Sequence, residues 1–298
     1  MSALIFILLC IALGVLAARF FKAPQGLAQH LNWWVLNIAL PALVLDLIPR
    51  THFNPQLWFL VATQWLVFDG SWLLFALLGP RLGWSRGRIG ALILTAGLGN
   101  TSFMGYPMIE ALRGKDGLAL AVVADQVGCF VALAVGGVAV TAVYAGRTLK
   151  AGEVARRILL FPSFLALLAG IVVGLCGGWP GPLQQAMERL GATLTPLALF
   201  SVGLQFRLHL GRSQLGALGL GLGWKLLLAP LLCCALGLAT GVTGLVLTVG
   251  VLQAAMAPMI SAAILSEQYN LEPPLANTVL GVGILLSLVT VPAANMLF

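Results

Sequence analysis

A run of polar residues interrupts an otherwise apolar stretch between Gly99 and Pro107, which reads Gly-Asn-Thr-Ser-Phe-Met-Gly-Tyr-Pro. Because Pro107 lacks a backbone N–H and its ring clashes with the preceding turn, we expect a helix to break here. At membrane depth a break is tolerated only where the freed backbone groups face protein or a water-filled cavity. The stretch therefore predicts a binding site, and the candidate side chains are Asn100, Thr101 and Ser102. The alternative is a kinked helix whose Ser and Thr hydroxyls bond back to their own backbone.

The composition indicates an integral membrane protein. Apolar residues make up 60% of the 298 positions and charged residues 8%, whereas soluble domains carry about 25% charged residues. The net charge of +7 is spread over connections and forms no patch, so nucleic-acid binding is not expected. The five cysteines lie in apolar stretches without metal-ligand spacing, so we predict neither a metal site nor a cofactor.

Apolar segments of about 17 to 25 residues are long enough to cross a membrane, and ten such segments can be counted. They cover approximately 2–18, 31–49, 57–79, 89–112, 118–144, 158–178, 187–206, 214–240, 243–266 and 275–297. Eleven Lys and Arg residues fall in the odd-numbered connections and four in the even-numbered ones. Basic connections face the cytoplasm, which predicts that both termini lie outside it.

The two halves of the chain resemble each other in register. Pro107 in the fourth segment has a counterpart 151 positions later in Pro258, within a stretch that starts at Gln253, and Gln253 is a further candidate substrate residue. Asp125 has one 152 positions later in Asn277. The predicted fold is therefore all-helical, with ten spans arranged as two inverted five-helix repeats whose broken helices cross in spans four and nine. The repeats cover 1–144 and 158–298, and a short cytoplasmic linker covers 145–157.

Three charged residues, Asp69, Asp125 and Lys225, lie well inside predicted spans. Such charges are costly in a membrane and usually face a cavity or a partner, so we interpret them as candidate ion-coupling residues. Asp69 and Lys225 are 156 positions apart, close to the repeat register, and a fixed ion pair between them is the structural alternative. The acidic residues near span ends are expected at the membrane interface, and these are Asp46, Glu110 and Glu267.

The one match to an enzyme motif lies in a structural context that does not suit catalysis. Gly83 to Gly87 matches the pattern of a hydrolase nucleophile turn, but that turn needs a strand before its helix and here it joins two apolar segments. Catalysis is therefore not expected.

Several motifs together resemble the auxin efflux carrier family. The stretch from Gly99 to Gly114 is similar to the fourth-span signature of that family, which includes plant carriers and bacterial organic-acid permeases. Later stretches extend the similarity over the chain, at Pro196 to Gly203, Lys225 to Pro230 and Ser287 to Pro292.

The resemblance implies a scaffold of spans one, two, six and seven and a moving transport domain of spans three to five and eight to ten. It implies that substrate binds where the broken helices cross, near Asn100, Pro107 and Pro258, and that the family's glutamine in span five corresponds to Gln126. Asp125 departs from the plant pattern, and the long cytoplasmic loop of the plant carriers is absent. A homodimer through the scaffold spans is compatible with this plan.

The sequence thus predicts a secondary carrier of the bacterial inner membrane that moves a small organic anion by an elevator-type alternation. Half-helix N-termini and amide side chains favour a carboxylate. A sodium- or proton-coupled carrier of the bile-acid or cation exchanger type is the alternative that Asp125 keeps open. A membrane receptor or channel is a third class, distinguished by binding without accumulation or by conduction without saturation.

Overall fold

The computed structural model describes residues 2–21, 23–51, 54–146, 151–206 and 214–298, with the backbone alone for Ser2, Ala151 and Arg157. Within these ranges the regular structure is helical, and extended pairing occurs at one antiparallel bridge between Gly99 and Pro258. Five basic residues used to predict orientation lie outside the described residues, namely Lys22, Arg147, Lys150, Arg207 and Arg212.

The first half of the chain forms helices that short turns or wider π-helical segments connect. They are α1 (Ser2–Phe20), α2 (Leu27–Trp34), α3 (Leu40–Leu47), α4 (Trp58–Arg81), α5 (Arg86–Gly97), α6 (Gly105–Val123) and α7 (Val138–Ala145). The π-helical segments are Val35–Ala39, Ala124–Cys129 and Ala132–Gly137, and short 3₁₀ turns cover Ile48–Arg50 and Pro55–Leu57.

The second half contains α8 (Ala151–Leu159), α9 (Pro162–Leu175), α10 (Gly181–Ala192), α11 (Leu194–Leu204), α12 (Leu215–Gly223), α13 (Ala229–Ala239), α14 (Gly244–Ala254), α15 (Ile260–Gln268) and α16 (Pro273–Asn295). A π-helical segment, Trp224–Leu228, joins α12 to α13. Helix α8 occupies part of the predicted linker, so that connection is not simply a loop.

Six helical stretches among the described residues are long and apolar enough to cross a membrane, and two shorter apolar helices accompany them. An all-helical integral membrane protein is therefore confirmed, whereas the count of ten spans stays a prediction. Both expected breaks are present: α5 ends at Gly97 before α6 begins at Gly105, and α14 ends at Ala254 before α15 begins at Ile260. Pro107, however, lies in the first turn of α6, where its missing N–H costs no helical hydrogen bond.

The chain divides into two compact units. Unit 1 contains Met1–Asn54, Ser102–Val122 and Ala155–Phe206, and unit 2 contains Pro55–Thr101, Val123–Val154 and Arg207–Phe298.

Glycines let the helices of unit 1 approach at backbone distance. A Cβ built on Gly14 of α1 would lie 2.9 Å from the Cα of Gly203 in α11. In the same way, a Cβ on Gly191 of α10 would lie 2.9 Å from the Cα of Leu43 in α3. Small residues at such points let helix backbones pack closely in a membrane, where apolar burial supplies little driving force.

Helix α4 is the centre of unit 2. Its buried aromatic residues face glycines of neighbouring helices: Phe59 lies against Gly250, and Phe68 against Gly97 and Gly136. Ser71 also donates a hydrogen bond to the carbonyl of Ile93, at 3.3 Å. These contacts fix α4 against both α5 and α14, the two helices that end at the breaks.

Candidate substrate site

The two helix breaks of unit 2 pair with each other. The backbone N–H of Asn100 donates to the carbonyl of Ala257 at 2.7 Å, and that of Met259 donates to the carbonyl of Leu98 at 3.0 Å. These reciprocal bonds flank the bridge between Gly99 and Pro258. We call this pairing of 98–100 with 257–259 the crossing, and it satisfies backbone groups that the breaks release from helical bonding.

Buried amide and hydroxyl side chains surround the crossing. Gln253, the second-last residue of α14, donates from Nε2 to the carbonyl of Thr101 at 3.2 Å. Gln253 and Thr101 are fully buried and Asn100 is 2% exposed. Of the predicted substrate residues, unit 2 thus brings together Asn100, Thr101, Gln253 and Pro258.

Asp125 and Gln126 reach the same group from the π-helical segment Ala124–Cys129. The Thr101 hydroxyl donates to one Asp125 carboxylate oxygen, and Gln126 Nε2 donates to the other at 2.8 Å. Wider π turns are common at functional sites because they redirect side chains from the regular helical face. Here the π segment supplies the buried carboxylate of Asp125, which the hydroxyl of Thr101, next to the crossing, contacts directly.

Lys225 lies in the third π-helical segment of unit 2, Trp224–Leu228, and a proline explains that segment. Pro230 has no backbone N–H, so it cannot donate a hydrogen bond to the carbonyl one turn before it. The helix therefore widens across Trp224–Leu228. The Lys225 side chain is fully buried, and its Nζ donates to the carbonyl of Ala254 at 3.0 Å. Because Ala254 ends α14, the ammonium stabilises the negative end of that helix dipole.

The hydrogen-bonding capacity of Lys225 is only partly used. An ammonium group has three donors, and within the described part of the chain one of them has an acceptor. None of the ion pairs between described residues includes Lys225. A buried cation with spare donors next to a helix break is suited to an anionic ligand that enters this region.

Cys129 also belongs to this site, although its sequence context showed only an apolar stretch without metal-ligand spacing. Its Sγ donates to the carbonyl of Gly99 at 3.3 Å, and the thiol lies within electrostatic range of Asp125 and Lys225. The signal in the sequence is the spacing of four from Asp125, which aligns side chains along one helix face.

The remaining predicted residues are Ser102, Pro107 and Asn277. Ser102 and Pro107 belong to unit 1, where Pro107 lines a cavity. Asn277 is partly exposed on α16. Among the described residues, no three His, Cys, Asp or Glu side chains group closely enough to hold a metal ion.

Asp69 and Lys225 do not form the ion pair that was the structural alternative for them, and their ion-coupling role stays a prediction. Asp69 is exposed on α4, whereas Lys225 is fully buried. The register aligns positions along two helices but does not fix which face each side chain occupies. The buried stripe of α4 includes Gln64, Phe68, Ser71 and Phe75, and Asp69 lies off that stripe.

Comparisons with known proteins agree with a transport function. A family model described as a membrane transport protein, Mem_trans, matches residues 1–294. An uncharacterized transporter of Methanothermobacter thermautotrophicus is 26% identical over 288 residues, which cover 96% of this chain and 94% of that protein. A putative malonate transporter of Rhizobium meliloti is 27% identical over 297 residues, which cover 94% of this chain and 90% of the relative.

The family match covers nearly the whole chain, and the sequence motifs and the apolar helices lead to the same assignment. The chain therefore belongs to the Mem_trans family of membrane transport proteins, the auxin efflux carrier family.

Proposed function

We propose that this transporter carries a small organic anion, and that a dicarboxylate of the size of malonate is its substrate. The observation that carries the proposal is the fully buried Lys225 ammonium at the end of α14, with donors to spare beside the crossing. A carboxylate is the common biological partner for such a group. The name of the Rhizobium relative supports malonate as the first compound to test.

The polar groups around Lys225 suit a carboxylate of this size. Amide side chains at Gln126 and Gln253 supply neutral donors, and α15 begins with its N-terminal N–H groups just after Pro258. Helix N-termini favour negative charge, while the ammonium already compensates the C-terminal end of α14. The substrate residues proposed for unit 2 are therefore Asn100, Thr101, Gln126, Gln253 and Pro258, with Lys225 as the charged anchor.

The transport cycle we propose is an elevator in which unit 2 carries the substrate and unit 1 stays fixed. The proposed arrangement has ten spans in two inverted repeats, with both termini outside the cytoplasm of a bacterial inner membrane, and a homodimer forms through unit 1. This plan is common among secondary transporters with paired broken helices. No catalytic step is part of it.

A second candidate is coupling of the same cycle to a proton or Na⁺. Asp125 favours it, because this carboxylate is 3% exposed and contacts the Thr101 hydroxyl at the crossing. Buried carboxylates on a transport path serve as proton or cation carriers in many transporters. In this version malonate still binds at Lys225, and Asp125 sets the dependence on pH or Na⁺.

Uptake into proteoliposomes tests the proposal. We expect saturable uptake of radiolabelled malonate, competition by other short dicarboxylates, and no competition by an amine of equal size. A pH or Na⁺ gradient that raises accumulation identifies the coupled version. Uptake of amines in preference to every carboxylate would contradict the proposal, and conduction that does not saturate would indicate a channel.

A further inference from the structure

Unit 1 contains a cavity of about 480 Å³ that the crossing does not explain. Five helices of this unit line it, and four of them (α1, α3, α6 and α10) contribute residues three and four positions apart, the spacing of one helical face. Helix α6 supplies Pro107, Glu110 and Ala111 in this way, and α3 supplies Leu43, Asp46 and Leu47. The size lies within the range of small-molecule sites, which occur between the helices of bundles.

The kink in α6 brings one more charge to the cavity. Gly114 has a φ of 71° and a ψ of −168°, a conformation that a side chain would strain, and it divides α6. Lys115 follows the kink and lines the cavity together with Glu188 of α10. These two residues form an ion pair, and both are substantially exposed.

The charges of the cavity do not balance. Lys115 is paired with Glu188, and Asp46, expected at an interface but 2% exposed, is paired with Arg50 and accepts a hydrogen bond from Gln184. Both pairs are neutral overall. Glu110 is partly buried, and no described side chain forms a hydrogen bond or ion pair with its carboxylate. One negative charge is therefore left over at the cavity wall.

The rest of the wall is mainly apolar. Phe6 and Ile7 of α1 line the cavity with Leu43 of α3, and Tyr106 is a further aromatic residue on α6. A hydrated metal ion needs several oxygen ligands and gains little from such a surface. Lys115, the cation nearest in effect to Glu110, is already paired with Glu188. An apolar wall with one carboxylate outside the ion pairs matches a molecule with a short hydrocarbon body and one positive charge.

We propose that the cavity of unit 1 binds a small organic ammonium ion, with its charge on Glu110 and its hydrocarbon body against Phe6, Ile7 and Leu43. The site lies in unit 1 and the malonate residues lie in unit 2, so this proposal does not depend on the transported substrate. It assigns opposite charges to the ligands of the two units.

Calorimetry on the full chain in lipid nanodiscs tests the assignment, with n-pentylammonium as the probe and 1-pentanol as its neutral analogue. We expect saturable binding of pentylammonium at one site per chain, at least tenfold tighter than that of pentanol. Glu110→Gln should weaken pentylammonium binding at least tenfold and leave pentanol unchanged, because a charge-assisted contact is lost. Glu267→Gln, which removes an exposed carboxylate in unit 2, should change neither.

A change in the volume of the cavity provides a second test of the proposal. Ala111→Leu narrows the cavity and should weaken pentylammonium binding, whereas Ala119→Leu on the same helix lies outside the lining and should not. Absence of pentylammonium binding to the parent protein, or equal binding to the parent and the Glu110→Gln variant, would overturn the proposal. If Glu110 took up and released a proton but the measured heat did not depend on the pentylammonium concentration, Glu110 would bind only protons. That result would also overturn the proposal.

Discussion

The crossing of unit 2 and the cavity of unit 1 use charge in opposite ways. At the crossing, Lys225 is fully buried, and its ammonium contacts the carbonyl of Ala254 with no carboxylate paired to it among the described residues. In the cavity, Glu110 is partly buried beside two complete ion pairs. The first is a cation inside packed protein, and the second is an anion on the wall of an open space.

The surroundings of the two charges determine what each region can bind. A buried charge requires backbone or ligand partners with defined geometry, because its cost in low dielectric is several kcal/mol. A charge on a cavity wall is hydrated when the cavity is empty, so it tolerates ligands of varied shape. The crossing should therefore be selective and sensitive to shifts of less than 1 Å, and the cavity should be permissive.

Among variants that keep Lys225, the largest effect is expected from crowding its ammonium beside the crossing. A Cβ on Gly99 would lie 3.0 Å from Lys225 Nζ, so Gly99→Ala should displace the flexible lysine tip from Ala254 while the backbone pairing remains. We expect malonate affinity to fall about tenfold, since one charged hydrogen bond is worth about 1.5–3 kcal/mol. Isothermal titration measures this.

The matched control is Gly219→Ala in α12, where a Cβ would meet open space within 4 Å. It should leave malonate affinity unchanged. Equal affinities in the Gly99→Ala variant and the parent protein would show that the position of Lys225 does not govern binding.

The next effect concerns coupling. Asp125→Asn removes the titratable carboxylate but keeps an oxygen that can accept from Thr101. We expect malonate binding to be retained and uptake to lose its dependence on pH or Na⁺, falling severalfold under a gradient. Proteoliposome uptake at several values of pH and Na⁺ measures this. Unchanged gradient dependence in the variant would assign coupling to another group.

A smaller effect is expected where unit 2 is held together away from the crossing. Arg88 of α5 and Glu272 form a partly buried ion pair with three hydrogen bonds, the shortest 2.7 Å, and this contact raises the pKa of the Arg88 guanidinium. We expect Arg88→Gln to cost about 1 kcal/mol of stability. Malonate affinity should not change, which separates stability from the chemistry at the crossing.

A double-mutant cycle with Glu272→Gln in reversible unfolding measures the coupling between the pair. Arg81→Gln, an exposed arginine bonded to the carbonyl of Leu77, is the control. Strictly additive losses for the two members of the pair would mean that the ion pair contributes nothing.

The smallest effect should come from Asp69. Because this residue is exposed on α4, Asp69→Asn should leave thermal stability and malonate uptake at parental values. A large destabilisation, or its rescue by Lys225→Gln, would restore the ion pair that the repeat register suggested.

The sequence contained enough information to predict the two breaks and their crossing, but not the hydrogen bonds that join them. Glycine and proline near Gly99 and Pro258 act through local backbone chemistry, so the interruption of both helices can be read directly. The hydrogen bonds between the breaks join residues more than 150 positions apart, and only the folded chain brings them together. Repeat symmetry suggested the partner without supplying the contact.

Side-chain direction was the main quantity that the sequence could not provide. Lys225 points into unit 2 from a π-helical segment that Pro230 causes. Pro230 is visible in the sequence, but its effect on Lys225 can be predicted only when the pattern of helical hydrogen bonds is known. Asp69 sits in a regular helix, where its neighbours fix it on the exposed face. Glu110 was expected at an interface, and its proposed role depends on a cavity lined by five helices.

The central claim is that the buried ammonium of Lys225 anchors an organic anion, and malonate titration of Lys225→Gln tests it most directly. Removing a buried charge that has no paired carboxylate should leave the melting temperature without ligand equal or higher. Malonate should bind at least tenfold more weakly and should no longer raise that temperature, whereas the exposed Arg19→Gln variant should behave as the parent. Parental malonate affinity in a folded Lys225→Gln protein would contradict the account.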